Sequence, residues 1–271
     1  MFHAPSGWDV ERVLGQGSCF EVALVACGET RAVAKRVRPA LANDAVGRTT
    51  IEREAWALSS FAGAAIPLLV DYGEDAAGTF VIETIAKGAP LSETRIEAAL
   101  RPRVARALVG VARTLHGEAG AEDAPEGFVI ADVAPSNVFV AEDGGVSLID
   151  FSASGTENGA PFSPIGRGTL PFVAPELCRA ETAPSRATDR YALAVLVAQL
   201  LLDDPLTRAR GDAAQLLGIG EHGHDASIVL DSSLPAAVRE TLAAFLSFDP
   251  TKRPTTLALL AKVLDDWALT S

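Results

Sequence analysis

The sequence predicts an α+β fold: a small β-rich N-terminal part carrying one helix, then a larger α-helical part. Three observations lead there. Short, largely apolar runs punctuated by glycine occupy the first third, at Val10 to Leu14, Phe20 to Cys27, Arg31 to Val37 and Thr79 to Ile85, the pattern of strands. Within them lies one stretch of helical spacing, Thr50 to Phe61, with Ile51, Ala55 and Leu58 on one stripe. Beyond residue 88 the long stretches turn helical: an Ala-rich amphipathic segment from Ile96 to Leu115, an apolar one from Thr188 to Leu202, and two more at Pro235 to Leu246 and Thr255 to Trp267.

A chain of 271 residues has room for one large core or two small ones. An apolar content of 48% with 21% charged residues is that of a folded protein. The net charge of −12 argues against nucleic acid or an anionic membrane surface as the main partner, since both call for a positive field. Cys19, Cys27 and Cys178 form no C-x-x-C pair and predict free thiols in a reducing compartment, hence a cytoplasmic protein. The N-terminus shows no signal-peptide pattern, and the longest near-continuous apolar run, Tyr191 to Leu202, is too short to span a bilayer.

The first two strands are joined by Gly15-Gln16-Gly17-Ser18-Cys19. Glycines there serve a plain hairpin turn, or let the backbone approach a phosphate and present its N–H groups. Lys35 sits in the third strand after Val33-Ala34. A lysine there can point to solvent; the preceding glycine turn shifts the reading toward a phosphate-binding cation. Further on, Phe128 to Val140 places two apolar runs around a loop bearing Asp132 and, five residues later, Asn137. A second carboxylate, Asp150, follows in Val146-Ser-Leu-Ile-Asp150-Phe151. Taken singly, Asp132 and Asn137 are ordinary turn residues. With Asp150 they supply a base and hard oxygen ligands for magnesium. His116, at a helix end, is read as structural. The Gly-, Ser- and Pro-rich stretch from Gly155 to Gly168 reads as a mobile loop.

The order Gly15-Gln16-Gly17-Ser18, Val33-Ala34-Lys35, Asp132 to Asn137 and Ile149-Asp150-Phe151, closed by Gly168-Thr169 to Ala174-Pro175-Glu176, resembles the protein kinase superfamily from about Trp8 to Trp267, and its bacterial serine/threonine branch in particular. The resemblance implies a bilobal kinase-like fold, with an N-lobe over 1–88 and a C-lobe over 89–271, and ATP-dependent transfer to a protein hydroxyl with magnesium. It implies that Glu54 pairs with Lys35, a choice over Glu52 made because Leu58 follows Glu54 by four residues. It assigns Asp132 to the acceptor hydroxyl and Asn137 and Asp150 to the metal. The nucleotide falls to Gly15, Gly17, Ser18, Val22, Ala34, Lys35, the backbone from Glu83 to Ile85, and Phe139, with Ile82 guarding the back of the pocket. Arg253 becomes the partner of Glu176, and Asp189 a brace for the catalytic loop in place of a plain helix cap.

Several positions depart from the family. Phe20 replaces the third glycine of the phosphate loop, and Ile130-Ala131-Asp132 stands where His-Arg-Asp is usual. Ala134 replaces a lysine, and Ser152 replaces the glycine after Asp150-Phe151. Ile130 is expected to fill the space of the missing histidine against Phe151. Loss of the lysine removes one cation from the transferring phosphate, and the search for a substitute starts at Arg167. Three readings follow: an active serine/threonine kinase, a pseudokinase that scaffolds or regulates a protein partner, and a small-molecule phosphotransferase, the last disfavoured by the Ala174-Pro175-Glu176 segment and Arg253.

Overall fold

In the computed structural model, which describes residues 2–17, 19–42, 44–61, 65–118, 125–157, 159 and 168–268, the N-terminal third is a five-stranded antiparallel sheet. Its strands are β1 (Asp9–Gln16), β2 (Phe20–Cys27), β3 (Thr30–Val37), β4 (Leu69–Asp75) and β5 (Gly78–Glu83), in the spatial order β1-β2-β3-β5-β4. Helix α1 (Ala45–Ser60) packs on β3, β4 and β5. It begins five residues before the predicted Thr50, because Asp44 caps it by accepting from the Val46 N–H at 2.8 Å. Its inward stripe carries Ile51, Glu54, Ala55 and Leu58, the helical spacing seen in the sequence.

Alternation along the strands sorts side chains between two faces. Ala23, Val25, Ala32, Ala34, Phe80 and Ile82 form one buried cluster with Phe2, on the face away from α1. Lys35 lies on the other face, opposite Val22 of β2 and Val81 of β5 in the sheet register. Strand β4 was not anticipated. It is a mostly exposed edge strand with a register irregularity at Leu69 to Asp71, so no buried alternation marks it.

After β5 the chain passes Gly88, whose φ is +91° and whose added Cβ would lie 2.0 Å from the Val140 carbonyl oxygen, so only glycine fits. The short strand β6 (Ala89–Pro90) follows, then helix α2 (Arg101–Leu115), which starts five residues later than predicted with Pro102 in its first turn. Strand β7 (Phe128–Val129) pairs with β10 (Gly155–Thr156), whereas β8 (Val138–Val140) pairs with β6 and β9 (Val146–Leu148). The two apolar runs around Asp132 are therefore not partners of each other, and the loop between them is not a hairpin.

The helical part continues with α3 (Pro175–Cys178), α4 (Arg186–Leu202), α5 (Asp212–His222), α6 (Ser227–Leu230), α7 (Ala236–Phe245) and α8 (Ala258–Ala268). α4 is buried at nearly every residue from Thr188 to Leu201 and serves as the central post. Its N-cap is Ser185, in a reciprocal capping box with Thr188, so Asp189 is not the cap. Helices α5 and α6 were not anticipated; α5 buries only Ile219 and Gly220 and so lacks an apolar stripe. Among the described residues no helix is long and apolar enough to cross a membrane.

The predicted tie between Glu176 and Arg253 is present as a bidentate ion pair, with N–O distances of 2.6 and 2.8 Å, both side chains sealed from solvent. The Arg253 guanidinium also lies over the Tyr191 ring, 4.5 Å from its centroid, which locks α3 to α4. Glu176→Ala leaves that guanidinium buried without its carboxylate, and unfolding by urea is expected to show a loss of about 3 kcal/mol. A loss below about 1 kcal/mol would show that Arg253 finds another partner there.

Candidate active site

Lys35 is 5% exposed and Glu54 is fully buried, and Glu54 Oε1 accepts from Lys35 Nζ. Of the two candidate glutamates, Glu54 is thus the one that reaches the lysine. A third buried group joins them: Glu83 Oε1 lies 3.1 Å from Lys35 Nζ. Burial alone pulls the ammonium of Lys35 down, but the charges of Glu54, Glu83 and Asp150 outweigh it and hold the group above its ordinary value. Burial pushes the Glu54 carboxyl up to about 8, against the pull of Lys35.

The loop carrying Asp132 is fixed from beneath by Asp189. Its Oδ2 accepts from the Ile130 N–H at 2.7 Å and lies 3.0 Å from His116 Nε2, and its Oδ1 accepts from the Ala131 N–H at 2.9 Å. These bonds hold Ala131 in the left-handed region, at φ +67°, which an alanine adopts only under constraint. His116 caps the end of α2 and belongs to this brace. Ile130 and Phe151 are both buried members of the main apolar core.

Asp132 itself is held on both oxygens. Thr169 Oγ1 donates to Oδ1 at 2.9 Å, and Asn137 Nδ2 donates to Oδ2 at 3.0 Å and to the Asp132 main-chain oxygen at 3.1 Å. Burial pushes its carboxyl above the ordinary aspartate value, partly offset by the Thr169 bond. The sequence marks Thr169 only by its place after Gly168 in a motif. Asn137 spends its amide hydrogens on Asp132, and its Oδ1, which accepts from Ser136 Oγ at 3.4 Å, keeps a second lone pair as an acceptor. The Ile149 N–H donates to the Asn137 carbonyl at 2.9 Å, and Val138 pairs with Leu148, so Asn137 and Asp150 leave adjacent strands side by side. Asp150 is also left-handed, at φ +63°. An amide oxygen and a carboxylate are the hard donors that magnesium takes alongside phosphate oxygens.

Among the nucleotide candidates, Val22 sits beside Lys35 in the sheet and Gly15 opposite Val22. The Gly17 N–H donates to the Phe20 carbonyl at 2.8 Å, and Phe20 is buried in the core, which ties down the turn that lacks a third glycine. Phe139 lies in β8 between Pro90 and Ser147. Ile85 follows β5 and is largely exposed. Ala34 and Ile82 do not lie where expected. Strand alternation places both on the face opposite Lys35, so Val33 takes the place assigned to Ala34, and Glu83, expected to act through its backbone, is the buried side chain behind Lys35 in place of Ile82. Ser18, Arg167 and most of the loop before Gly168 lie outside the described residues.

The protein kinase domain family matches residues 8–264, and the chain belongs to it. Relatives include the serine/threonine-protein kinase PknL of Mycobacterium bovis, 32% identical over 230 residues, covering 82% of this chain and 56% of that protein. The serine/threonine-protein kinase AfsK of Streptomyces coelicolor is 28% identical over 255 residues, covering 92% of this chain and 30% of its own. The chain thus spans about half the length of PknL and less of AfsK. The expected kinship with bacterial serine/threonine kinases is borne out, as is the two-part α+β fold.

Asp189→Ala strips the acceptor from two buried amides. A loss of about 3 kcal/mol in stability and faster amide hydrogen exchange at Ile130 and Ala131 are expected. Unchanged exchange at both amides would show that the loop holds its shape without the brace.

Proposed function

We propose that this chain is the catalytic domain of an ATP-dependent serine/threonine protein kinase, with an N-lobe over 1–88 and a C-lobe over 89–271. The observation that carries the reading is Lys35, buried, paired with Glu54 and opposite Val22 in the sheet. A buried lysine is costly to keep, and a nucleotide phosphate gives it work that the fold does not require. In this reading Gly15, Gly17 and Ser18 cradle the phosphates, Val22 and Phe139 border the base, and the backbone at Ile85 meets its edge. Asn137, through Oδ1, and Asp150 would hold magnesium. When bound, magnesium supplies charge neutralisation across the phosphates.

Asp132 takes the hydroxyl proton of the acceptor. Its Oδ1 and Oδ2 are oriented by Thr169 and Asn137, and its raised carboxyl pKa makes it a stronger base than a free aspartate. Transfer therefore falls off with decreasing pH sooner than an ordinary aspartate would dictate. The three free cysteines support a cytoplasmic setting, and the acceptor is a protein. A second reading, a nucleotide-binding scaffold without transfer, is favoured by Ala134, which is wholly buried where the family keeps a lysine.

Calorimetric titration with ATP, with and without magnesium, separates binding from its absence. Lys35→Met and Asp150→Ala are each expected to lower phosphoryl transfer by at least about 100-fold while the fold persists by circular dichroism. Magnesium-strengthened binding without transfer to any protein acceptor would establish the scaffold. No binding with or without magnesium would remove the kinase reading for this chain.

A further inference from the structure

Around Lys35 the charges do not balance. Glu54 and Glu83 both contact its ammonium, and all three side chains are sealed from solvent. Two carboxylates against one ammonium leave a negative charge where water does not reach. There a carboxylate takes up a proton rather than remain ionised and unpaired. Two ionised carboxylates can only accept hydrogen bonds, so neither can satisfy the other. In addition, Oε2 of Glu54 and Oε2 of Glu83 are buried with no donor among the described residues.

The sheet puts Glu83 there. It ends β5 opposite Val33, two residues from the Val81 that faces Lys35, so alternation aims it at the same side as the lysine. The charged groups that bear on it are Lys35 from β3, Glu54 from α1 and Asp150 from the segment after β9.

We propose that Glu83 is a positioning residue of the nucleotide site: it shares one proton with Glu54, and that proton keeps the Lys35 site neutral so that it accepts a triphosphate. The inference rests on the nucleotide-binding reading and adds to it a residue that sets how much negative charge the phosphates meet. Burial raises both carboxyls, Glu54 to about 8, against the pull of Lys35 and with a further push from Asp150. Near neutral pH the pair keeps its proton. Above about pH 8 the proton leaves, and a second full negative charge stands beside the lysine that the phosphates need.

Two measurements on the wild type and Glu83→Gln test this. In calorimetric titration with magnesium ATP, the wild type is expected to lose about tenfold in affinity between about pH 7 and about pH 9, while Glu83→Gln stays level. In thermal unfolding without nucleotide, the folded pair holds a proton that the unfolded chain releases near 4.5, so wild-type stability falls as pH rises from there to about 8. Glu83→Gln lacks that fall, and its Tm is expected to climb relative to the wild type by about 3 °C or more across the window. Glu83→Met carries the same comparison if the glutamine variant does not fold. Parallel Tm curves for wild type and variant, or equal pH slopes in affinity, overturn the proposal. Diverging Tm curves with no nucleotide binding by either protein would uphold the shared proton and overturn the nucleotide reading.

Discussion

The site geometry depends on one buried carboxylate, Asp189, and the donors gathered around it. Ile130 N–H, Ala131 N–H and the His116 ring surround an aspartate on the most deeply buried helix of the molecule. A carboxylate is expensive to bury, and it is tolerated here because each oxygen meets a donor. In return it holds Ala131 left-handed, and with it the direction in which the next residue, Asp132, leaves the chain. α4 cannot shift without disturbing the core on all sides, so the loop inherits its rigidity.

A second set of contacts joins this loop to the sheet. The Phe128 ring touches Phe61 at the end of α1, with centroids 4.7 Å apart, and lies 5.5 Å from Trp56 and 6.4 Å from Phe151. The helix that carries Glu54 is thereby stacked on the segment that carries Asp150. The electrostatics run the same way, since Asp150 acts on Lys35, Glu54 and Glu83 together. Lys35 stands between α1 and β5, and the charge balance around it is a property of the assembled sheet and helix, not of any one strand.

The strands with buried alternation were legible: β2 runs from Phe20 to Cys27 as read. Glu54 was separable from Glu52 because the two cannot both face inward and Leu58 follows Glu54 by four residues, as the family resemblance asks. Asp132, Asn137 and Asp150 were visible as residue types at a spacing. β4 and α5 were not legible, because each exposes most of its side chains and so leaves no periodic trace. Ala34 and Ile82 were misplaced even though period two along β3 puts Val33, not Ala34, beside Lys35. The family motif's spacing points to Ala34, whereas the pleat turns Ala34 and Ile82 to the face away from Lys35.

The sequence by itself determined the β-rich first third, the helical remainder and the inward face of α1, because hydrophobic period is a local property of the chain, and the family resemblance added the Glu176–Arg253 pair across 77 residues. Only the tertiary structure decided that Glu83 stands behind Lys35 and that Thr169 holds Asp132, and it gave the Asp189 brace, expected from the resemblance, its partners at Ile130 and Ala131. Those contacts join residues 37 to 59 positions apart, or strands whose register is set between them, and no local pattern encodes which buried polar groups will meet once the core closes.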